Sequence, residues 1–388
     1  MNRPHPVAGN TLTLLQNGAE FFPQLCSAID AARHAVYLET YIFAADETGY
    51  LVGEALQRAA ERGVSVKVLL DGFGSADLPG SFVDELLKVG VEVQWFRRKI
   101  SPFTLSRSRN RRLRRMHRKM AVMDGEVAFI GGINIINDIP AELELDAPRL
   151  DYAVRVEGEF AREVQAAMQH LWEMVSWAAF RRRVKADGWR LHRARPNSQS
   201  GVQLMLRDNV RHRRDIEHAY IRAIAGARRE IVIANAYFLP GRLFRRALVH
   251  AARRGVRVVL LLQGKVEYRL QHYATLALYG RLLRAGVEIY EYHASFMHAK
   301  VAVVDGAWAT VGSFNIDPFS LLLAREANLV ARDAAFAAEL RASLWDAIER
   351  DGRRVELARA NLLTRILARM SYSLIRFAIG VSGIARTH

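Results

Sequence analysis

Short apolar runs alternate along the chain with stretches in which apolar residues recur every three or four positions. The runs AVYLETYIF (35–43) and EIVIANAYF (230–238) are rich in β-branched and aromatic residues, so each predicts a buried strand. Between such runs, periodic stretches stop at a glycine and a new apolar run begins, which is typical of a helix followed by a strand. These stretches form two matching pairs: AAERGVSVKVLLDG with AARRGVRVVLLLQG, and LLKVGVEVQWF with LLRAGVEIYEY.

The order helix–strand–helix–strand–helix–strand–strand therefore occurs twice in the chain. It predicts an α/β fold of two tandem repeats, each a mixed, mainly parallel sheet flanked by helices, related by pseudo-twofold symmetry. The polar, aperiodic segment VKADGWRLHRARPNSQSG (184–201) separates the repeats. We place the first repeat at 10–186, the second at 200–350, and a C-terminal amphipathic tail at 351–388.

The charge of the chain narrows the choice of partners. Lysine and arginine total 56 against 40 acidic residues, which gives a formal net charge of +16. Such a chain favours nucleic acid or an anionic membrane surface, and a basic protein without such a partner is the alternative. Cys26 is the only cysteine, so an intramolecular disulfide and a cysteine metal site are excluded. The sequence predicts neither a signal peptide nor a transmembrane helix.

A ten-residue string occurs at equivalent places in the two repeats. MHRKMAVMDG contains His117 and Lys119, and MHAKVAVVDG contains His298 and Lys300. In a strand, residues two apart point to the same face, so each histidine is expected beside its lysine. One copy alone would be interpreted as a strand with polar surface residues. Two copies in a repeat instead predict a single cleft that both motifs face.

The spacing after each motif is also repeated. It follows the pattern H-x-K-x4-D-x6-G-[GS]-x-N, with Asp124, Gly132 and Asn134 in the first copy and Asp305, Ser313 and Asn315 in the second. This paired pattern resembles the phospholipase D superfamily over roughly residues 10–350. The stretches RRMHRKMAVMDGEVAFIGGINI, ANAYFLPG and WATVGSFNIDPFSLLLAREANL are similar to bacterial cardiolipin synthases of the B type.

Two histidines at one cleft can divide the work on a phosphodiester. One attacks phosphorus to form a covalent phosphohistidine, while the other protonates the leaving alkoxide and then deprotonates the incoming alcohol. The resemblance implies that His117 is the nucleophile and His298 the acid and base, with the reverse assignment as the alternative. Lys119 and Lys300 would hold the non-bridging oxygens, so we expect no metal and no cofactor.

The resemblance also implies roles for other residues of the pattern. Asp151 in DYAVRVEG and Glu326 in EANLVARD are expected to orient His117 and His298, and a surface acid at a strand end is the alternative for each. Hydrogen bonds to the phosphate are expected from Gly132, Asn134, Ser313 and Asn315. The motif aspartates are interpreted as positioning residues rather than proton carriers: Asp124 and Asp305.

Two segments bear on the substrate. RRKISPFTLSRSRNRRLRR (97–115) holds nine basic residues, no acid and several apolar residues, which suits an anionic bilayer. A solvated loop or a nucleic-acid loop is the alternative. Near the C-terminus, an apolar stripe opposite arginines predicts an in-plane membrane helix, and packing on the protein core is the alternative. The stripe consists of Leu363, Ile366, Leu367, Met370, Leu374, Phe377 and Val381.

The resemblance, together with these segments, implies a peripheral enzyme on the cytoplasmic side of the cell membrane. It would transfer a phosphatidyl group between phosphatidylglycerol molecules to give cardiolipin and glycerol, with phosphatidylethanolamine as another possible substrate. A lipid hydrolase or a nuclease would use the same two histidines, although nucleic acid is not the expected partner. A non-catalytic protein that binds anionic surfaces is a third hypothesis. The sequence predicts no oligomeric state.

Overall fold

A computed structural model describes residues 2–97, 114–139, 147–180, 201–208, 212–267, 269–318, 320, 324–357 and 367–375, without the side chains of 178–180. Most of the predicted basic segment, the linker and part of the C-terminal stripe lie outside these residues. No helix within the described ranges combines the length and the apolar content needed to cross a bilayer.

The first repeat forms an eight-stranded sheet with the order β1-β2-β9-β8-β7-β3-β4-β5. Its strands are β1 Pro4–Val7, β2 Asn10–Gln16, β3 Ala35–Thr40, β4 Ser65–Asp71, β5 Glu92–Phe96, β7 Met120–Met123, β8 Val127–Gly131 and β9 Tyr152–Gly158. A short strand β6, Arg115–Met116, stands outside this sheet. The helices are α1 Asn17–Ala31, α2 Glu47–Glu61, α3 Gly80–Lys88 and α4 Glu159–Phe180.

The second repeat forms a sheet with the order β10-β16-β15-β14-β11-β12-β13-β17, and β6 pairs with β16. Its strands are β10 Val202–Arg207, β11 Glu230–Asn235, β12 Arg257–Gln263, β13 Glu288–Tyr292, β14 Lys300–Val304, β15 Trp308–Gly312, β16 Ala324–Ala331 and β17 Gly352–Arg354. Its helices are α5 Asp215–Gly226, α6 Arg242–Arg253, α7 Arg269–Leu283 and α8 Ala334–Asp351. A last helix, α9, covers 367–375.

The predicted mixed α/β fold with two repeats is confirmed, but the sheets are not mainly parallel. Within the strand order of the two sheets, the described parallel pairs are those of β3-β4-β5 and β11-β12-β13, and the short strand β6 also pairs parallel with β16. The remaining strands of each sheet pair antiparallel. The reason is that β7, β8 and their counterparts β14, β15 are joined by tight turns, and such a hairpin must be antiparallel. The helix crossovers that suggested a parallel sheet occur only in the earlier part of each repeat.

The two repeats share one hydrophobic core. A single buried cluster combines Val122 and Val154 of the first sheet with Val303 and Leu329 of the second, together with residues of α4 and α8. This shared core fixes the position of one repeat against the other. The second sheet also extends past the predicted start of the tail at 351, because β17 pairs antiparallel with β13.

Candidate active site

Each motif histidine lies at a seam between the repeats. The strands of the motifs begin only at Met120 and Lys300, so the prediction of a strand through the histidines was wrong. The backbone N–H of His117 instead donates to the carbonyl of Arg325 at 2.9 Å, and that of His298 donates to the carbonyl of Leu150 at 2.8 Å. Both acceptors belong to the opposite repeat, so each histidine is positioned by the other half of the chain.

The side chain of each motif histidine also contacts a carboxylate of the opposite repeat. The Nδ1 of His117 lies 3.0 Å from Oε2 of Glu326, and the Nδ1 of His298 lies 2.7 Å from Oδ2 of Asp151. The expected pairing of Asp151 with His117 and of Glu326 with His298 is therefore wrong. The reason is the strand pairing across the seam, since Met116 is in register with Arg325 and Leu150 forms a bridge with Met297.

Gly132 and Ser313 contact these carboxylates rather than open space. The hydroxyl of Ser313 donates to Oε2 of Glu326 at 2.6 Å and accepts from the N–H of Ala327 at 3.0 Å. A side chain at Gly132 would overlap the carboxylate of Asp151. The backbone N–H groups of Gly132 and Ser313 are also used within the sheets. These groups are therefore engaged with the carboxylates and the sheets, and their hydrogen bonds to a phosphate stay a prediction.

The motif lysines are buried beside the histidines. Lys119 donates from Nζ to the carbonyl of His117 at 2.8 Å, and Lys300 donates in the same way to the carbonyl of His298. Burial lowers the pKa of Lys119 to about 7 and that of Lys300 to about 8. Negative charge brought close to these amines would raise both pKa values and favour their charged form.

The electrostatics of the site keep both imidazoles neutral when no substrate is bound. Burial lowers the pKa of His117, and burial together with Lys300, Lys119 and His117 lowers the pKa of His298 well below its ordinary value. The charge of His117 is thus among the causes of the lowered pKa of His298. A neutral imidazole that donates from Nδ1 to a carboxylate presents the lone pair of Nε2. Burial also raises the pKa of Asp151 to about 6.

The two motif asparagines lie buried just after β8 and β15. Asn134 is 7% exposed and Asn315 is 4% exposed. The Oδ1 of Asn134 accepts from the N–H of Ile42 at 3.2 Å, which fixes the orientation of its amide. The amide of Asn134 is thus held rigidly within the site.

The motif aspartates lie at the opposite end of β7 and β14 from the histidines. Asp124 accepts hydrogen bonds from the N–H groups of residues 33–35, and Asp305 accepts from those of 228–230, at 2.7–3.0 Å. Partial burial raises the pKa of both aspartates, but the hydrogen bonds from these backbone N–H groups outweigh it, so both pKa values lie below the ordinary value. Each aspartate has a positive φ, near 50°. They fix a turn to the start of the neighbouring strand and do not contact the histidines.

Sequence reasoning missed three residues around the first motif. The ring of Tyr41 lies 4.8 Å from that of His117, and Lys119 Nζ lies 5.2 Å from its centre. Glu39 and Arg118 form a buried ion pair at 3.8 Å, and burial raises the pKa of Glu39 to about 7. Alignment of the repeats contained the signal, because the second copy has alanine at all three places: Ala236, Ala234 and Ala299.

Within the described part of the chain, no cluster of three or more histidine, cysteine or acidic residues could hold a metal ion.

Comparison with known proteins gives consistent matches. The family model described as cardiolipin synthase, phospholipase D-like domain, matches residues 25–172 and 220–347. Cardiolipin synthase B of Escherichia coli (strain K12) is 41% identical over 352 residues, which cover 90% of this chain and 83% of that protein. Cardiolipin synthase of Geobacillus kaustophilus (strain HTA426) is 33% identical over 325 residues, 84% of this chain and 63% of that protein. The crystal structure of phosphatidylserine synthase from Haemophilus influenzae Rd KW20 has the same fold, with a TM-score of 0.68, 15% identity and coverage of 97% and 94%.

Proposed function

The chain belongs to the cardiolipin synthase family with phospholipase D-like domains, and we propose that it transfers a phosphatidyl group between two phosphatidylglycerol molecules and releases glycerol. The observation that carries this proposal is the exchanged contact of His117 with Glu326 and of His298 with Asp151. Each imidazole is oriented by a carboxylate of the other repeat and carries its proton on Nδ1. A two-step displacement at phosphorus requires two such imidazoles, one as the nucleophile and one for proton transfer. The protein would act as a peripheral enzyme at the cytoplasmic side of the membrane.

In the first step, Nε2 of His117 attacks phosphorus and a nitrogen–phosphorus bond forms. The bond between phosphorus and the glycerol oxygen breaks, and the departing alkoxide takes a proton from Nε2 of His298. The pKa of His298 is lowered in the unliganded site. Its protonation therefore follows the arrival of the phosphodiester, whose negative charge raises that pKa.

In the second step, the now neutral His298 takes a proton from the hydroxyl of a second phosphatidylglycerol. That oxygen bonds to phosphorus, the nitrogen–phosphorus bond breaks, and His117 returns to its starting state. The acceptor decides the product, because water at this step would give phosphatidic acid instead of cardiolipin.

We assign the nucleophile to His117 because its Nδ1 has two acceptors. Besides Glu326, the carbonyl of Ser313 lies 3.2 Å from this nitrogen. A phosphohistidine formed at Nε2 carries positive charge on the ring, and both acceptors stabilise that charge. Among the described residues, the one acceptor recorded for Nδ1 of His298 is Asp151.

The phosphate itself would be held by Lys119, Lys300 and the amide of Asn134, with Asn315 at the matching place. Fixed donors in a site without water can each contribute a factor of about 10² to 10³ in rate. The lysines lie at the ends of β7 and β14 that carry the histidines. The negative charge of the bound phosphodiester would raise the pKa of both lysines and so favour their charged form during the reaction.

The test is an assay of the purified protein with phosphatidylglycerol vesicles in the presence of EDTA, followed by lipid analysis. Cardiolipin together with free glycerol is the expected result. Phosphatidic acid alone would contradict the proposal and indicate a hydrolase, and cleaved DNA with unchanged lipid would indicate a nuclease. For the roles, the covalent adduct is trapped in His117→Ala and His298→Ala, with the surface variant His170→Ala as control. We expect an adduct in His298→Ala and none in His117→Ala.

A further inference from the structure

An arginine-lined groove lies in the second repeat between α6 and α7. In α6, RLFRRALVHAAR, the residues Phe244, Leu248 and Ala251 are buried, so the arginines lie on the outer faces of the helix. The groove has a volume of about 780 Å³. Its arginines are Arg242, Arg245, Arg246, Arg253, Arg281 and Arg284. No described aspartate or glutamate lines it.

The fold does not require these arginines. In the aligned segments of the first repeat, the positions of Arg246, Arg253 and Arg281 are occupied by acids: Glu54, Glu61 and Glu85. The same helix pair therefore forms with acidic residues in one repeat and basic residues in the other. Like charges crowded in a groove repel one another, and a bound polyanion would remove that cost.

Helix α9 packs beside this groove and keeps one apolar side uncovered. Ala368 and Ile375 are buried, and Arg245 donates from Nη1 to the hydroxyl of Tyr372 at 2.7 Å. On the other side, a strip with helical spacing is exposed by 36%, 64% and 55% for Leu367, Met370 and Leu374. Packing on the core, the alternative considered from the sequence, thus applies to one side of this helix only.

We propose that the arginine groove and the exposed strip of α9 form one docking surface for an anionic phospholipid bilayer. The arginines would bind lipid phosphates, and the strip would enter the boundary between head groups and acyl chains. Charge and apolar surface lie side by side here, and this combination fits a bilayer better than it fits a soluble polyanion. The inference rests on the proposed function for its choice of an anionic lipid surface.

The position of the surface agrees with access to the active site. Helix α6 follows the carboxyl end of β11, where Asn235 is in register with Lys300 of the motif. The first arginines of α6 therefore lie toward the edge of the sheet that carries the catalytic groups. Arg253 and Arg281, at the C-terminal ends of α6 and α7, lie toward the opposite edge, so the N-terminal end of α6 is the part of this surface nearest to the cleft.

The experiment compares two triple variants of the full chain with equal loss of charge. The groove variant is Arg246→Gln/Arg253→Gln/Arg281→Gln, and the control is Arg3→Gln/Arg33→Gln/Arg162→Gln on exposed positions of the first repeat. Sedimentation is measured in 0.1 M NaCl with vesicles of equal phosphatidylglycerol and phosphatidylcholine, and with phosphatidylcholine alone. The groove variant should lose about a hundredfold in partitioning to the anionic vesicles, corresponding to about 1 kcal/mol per arginine. The control should lose only a few fold.

A third variant, Met370→Ser/Leu374→Ser, should also bind the anionic vesicles roughly tenfold more weakly, because the strip no longer enters the interface. Activity on phosphatidylglycerol in detergent micelles checks folding of every variant, and it should be unchanged. Equal losses in the two triple variants would overturn the proposal, since net charge alone would then explain binding. Displacement of the wild-type protein from vesicles by 10 mM inorganic phosphate at constant ionic strength would also overturn it, in favour of a site for free anions.

Nucleic acid is tested with a 20-base-pair DNA duplex. If the groove variant loses DNA binding but keeps vesicle binding, the docking surface proposed for lipid is wrong. Binding requires no turnover, so the two proposals can fail separately. A wild-type protein that binds vesicles through the groove but makes no cardiolipin would contradict only the proposed function.

Discussion

The Nδ1 of His298 lies 2.7 Å from Oδ2 of Asp151, a residue of the other repeat 147 positions earlier in the chain. The matching contact joins His117 to Glu326 across 209 positions. Neither repeat therefore supplies the carboxylate that orients its own motif histidine. The duplicated motif forms a site only when both repeats are folded against each other, which explains why the shared core and the short β6–β16 pairing matter for the chemistry.

The exchange of carboxylates predicts different defects for two isosteric substitutions. An amide at either place can donate to Nδ1 and force the proton onto Nε2, which is the wrong tautomer. Glu326→Gln should therefore block attack by His117, while Asp151→Asn should spare attack and slow the proton transfers of His298. We expect overall turnover to fall by up to about 10⁴-fold in both.

A phosphatidyl p-nitrophenol substrate separates these defects, because its leaving group needs no proton. Asp151→Asn should release a burst of one p-nitrophenol per enzyme, and Glu326→Gln should show none. Asp30→Asn, on an exposed part of α1, serves as the control. Given the observed contacts, the opposite pattern of bursts would mean that His298 is the nucleophile and His117 the acid and base.

The lowered pKa values of the two motif lysines predict how activity falls on the basic side of the pH profile. The pKa values of Lys119 and Lys300 are lowered to about 7 and about 8, so their positive charge is present at lower pH and is lost as pH rises through this range. In detergent micelles, kcat/KM should fall between pH 7 and 9. The kcat value should persist to higher pH, because a bound phosphodiester raises both pKa values. In Lys119→Arg, residue 119 stays charged over this range, so the remaining fall in kcat/KM should follow the titration of Lys300 alone. The surface change Lys88→Arg should leave the pH profile unchanged.

The motif aspartates predict a loss of stability without a chemical defect. Asp124→Ala and Asp305→Ala each remove one carboxylate that accepts three backbone hydrogen bonds. We expect the free energy of unfolding to fall by about 2–3 kcal/mol in urea titrations. Asparagine should cost less, since it keeps one acceptor and tolerates the positive φ. The kcat of the folded enzyme at low temperature should stay within a few fold of wild type. A thousandfold loss with normal stability would show that these residues act in the reaction.

The sequence allowed much of the site to be predicted, because local signals carry it. The order of helices and strands follows from apolar periodicity, and the duplicated motif identified His117, Lys119, His298 and Lys300 as neighbours. Repetition turned a weak pattern into a specific one. The roles of Asp151 and Glu326 were implied by the family resemblance, and the two residues also occupy matching places in the repeats.

The partners of these residues could not be predicted, because they depend on contacts across the chain. The spacing of a motif does not reveal that Arg325 pairs with Met116, and that pairing brings Glu326 to His117. The direction of the later strands was missed for a related reason, since hairpins and crossovers leave similar apolar runs. The buried Glu39–Arg118 pair could not be predicted, because its two residues are far apart in the sequence and only the folded chain brings them together.

The last prediction concerns the difference between the repeats at Gly132 and Ser313. Gly132 leaves room for the short carboxylate of Asp151, while the hydroxyl of Ser313 donates to the longer Glu326. Gly132→Ser should therefore displace Asp151 and lower turnover about a hundredfold, whereas Ser313→Gly should cost only about tenfold through the lost hydrogen bond. If glycine–aspartate and serine–glutamate are matched pairs, Gly132→Ser combined with Asp151→Glu should recover part of the activity lost in Gly132→Ser alone. A double variant that is less active than Gly132→Ser would show that the first copy tolerates only the shorter carboxylate.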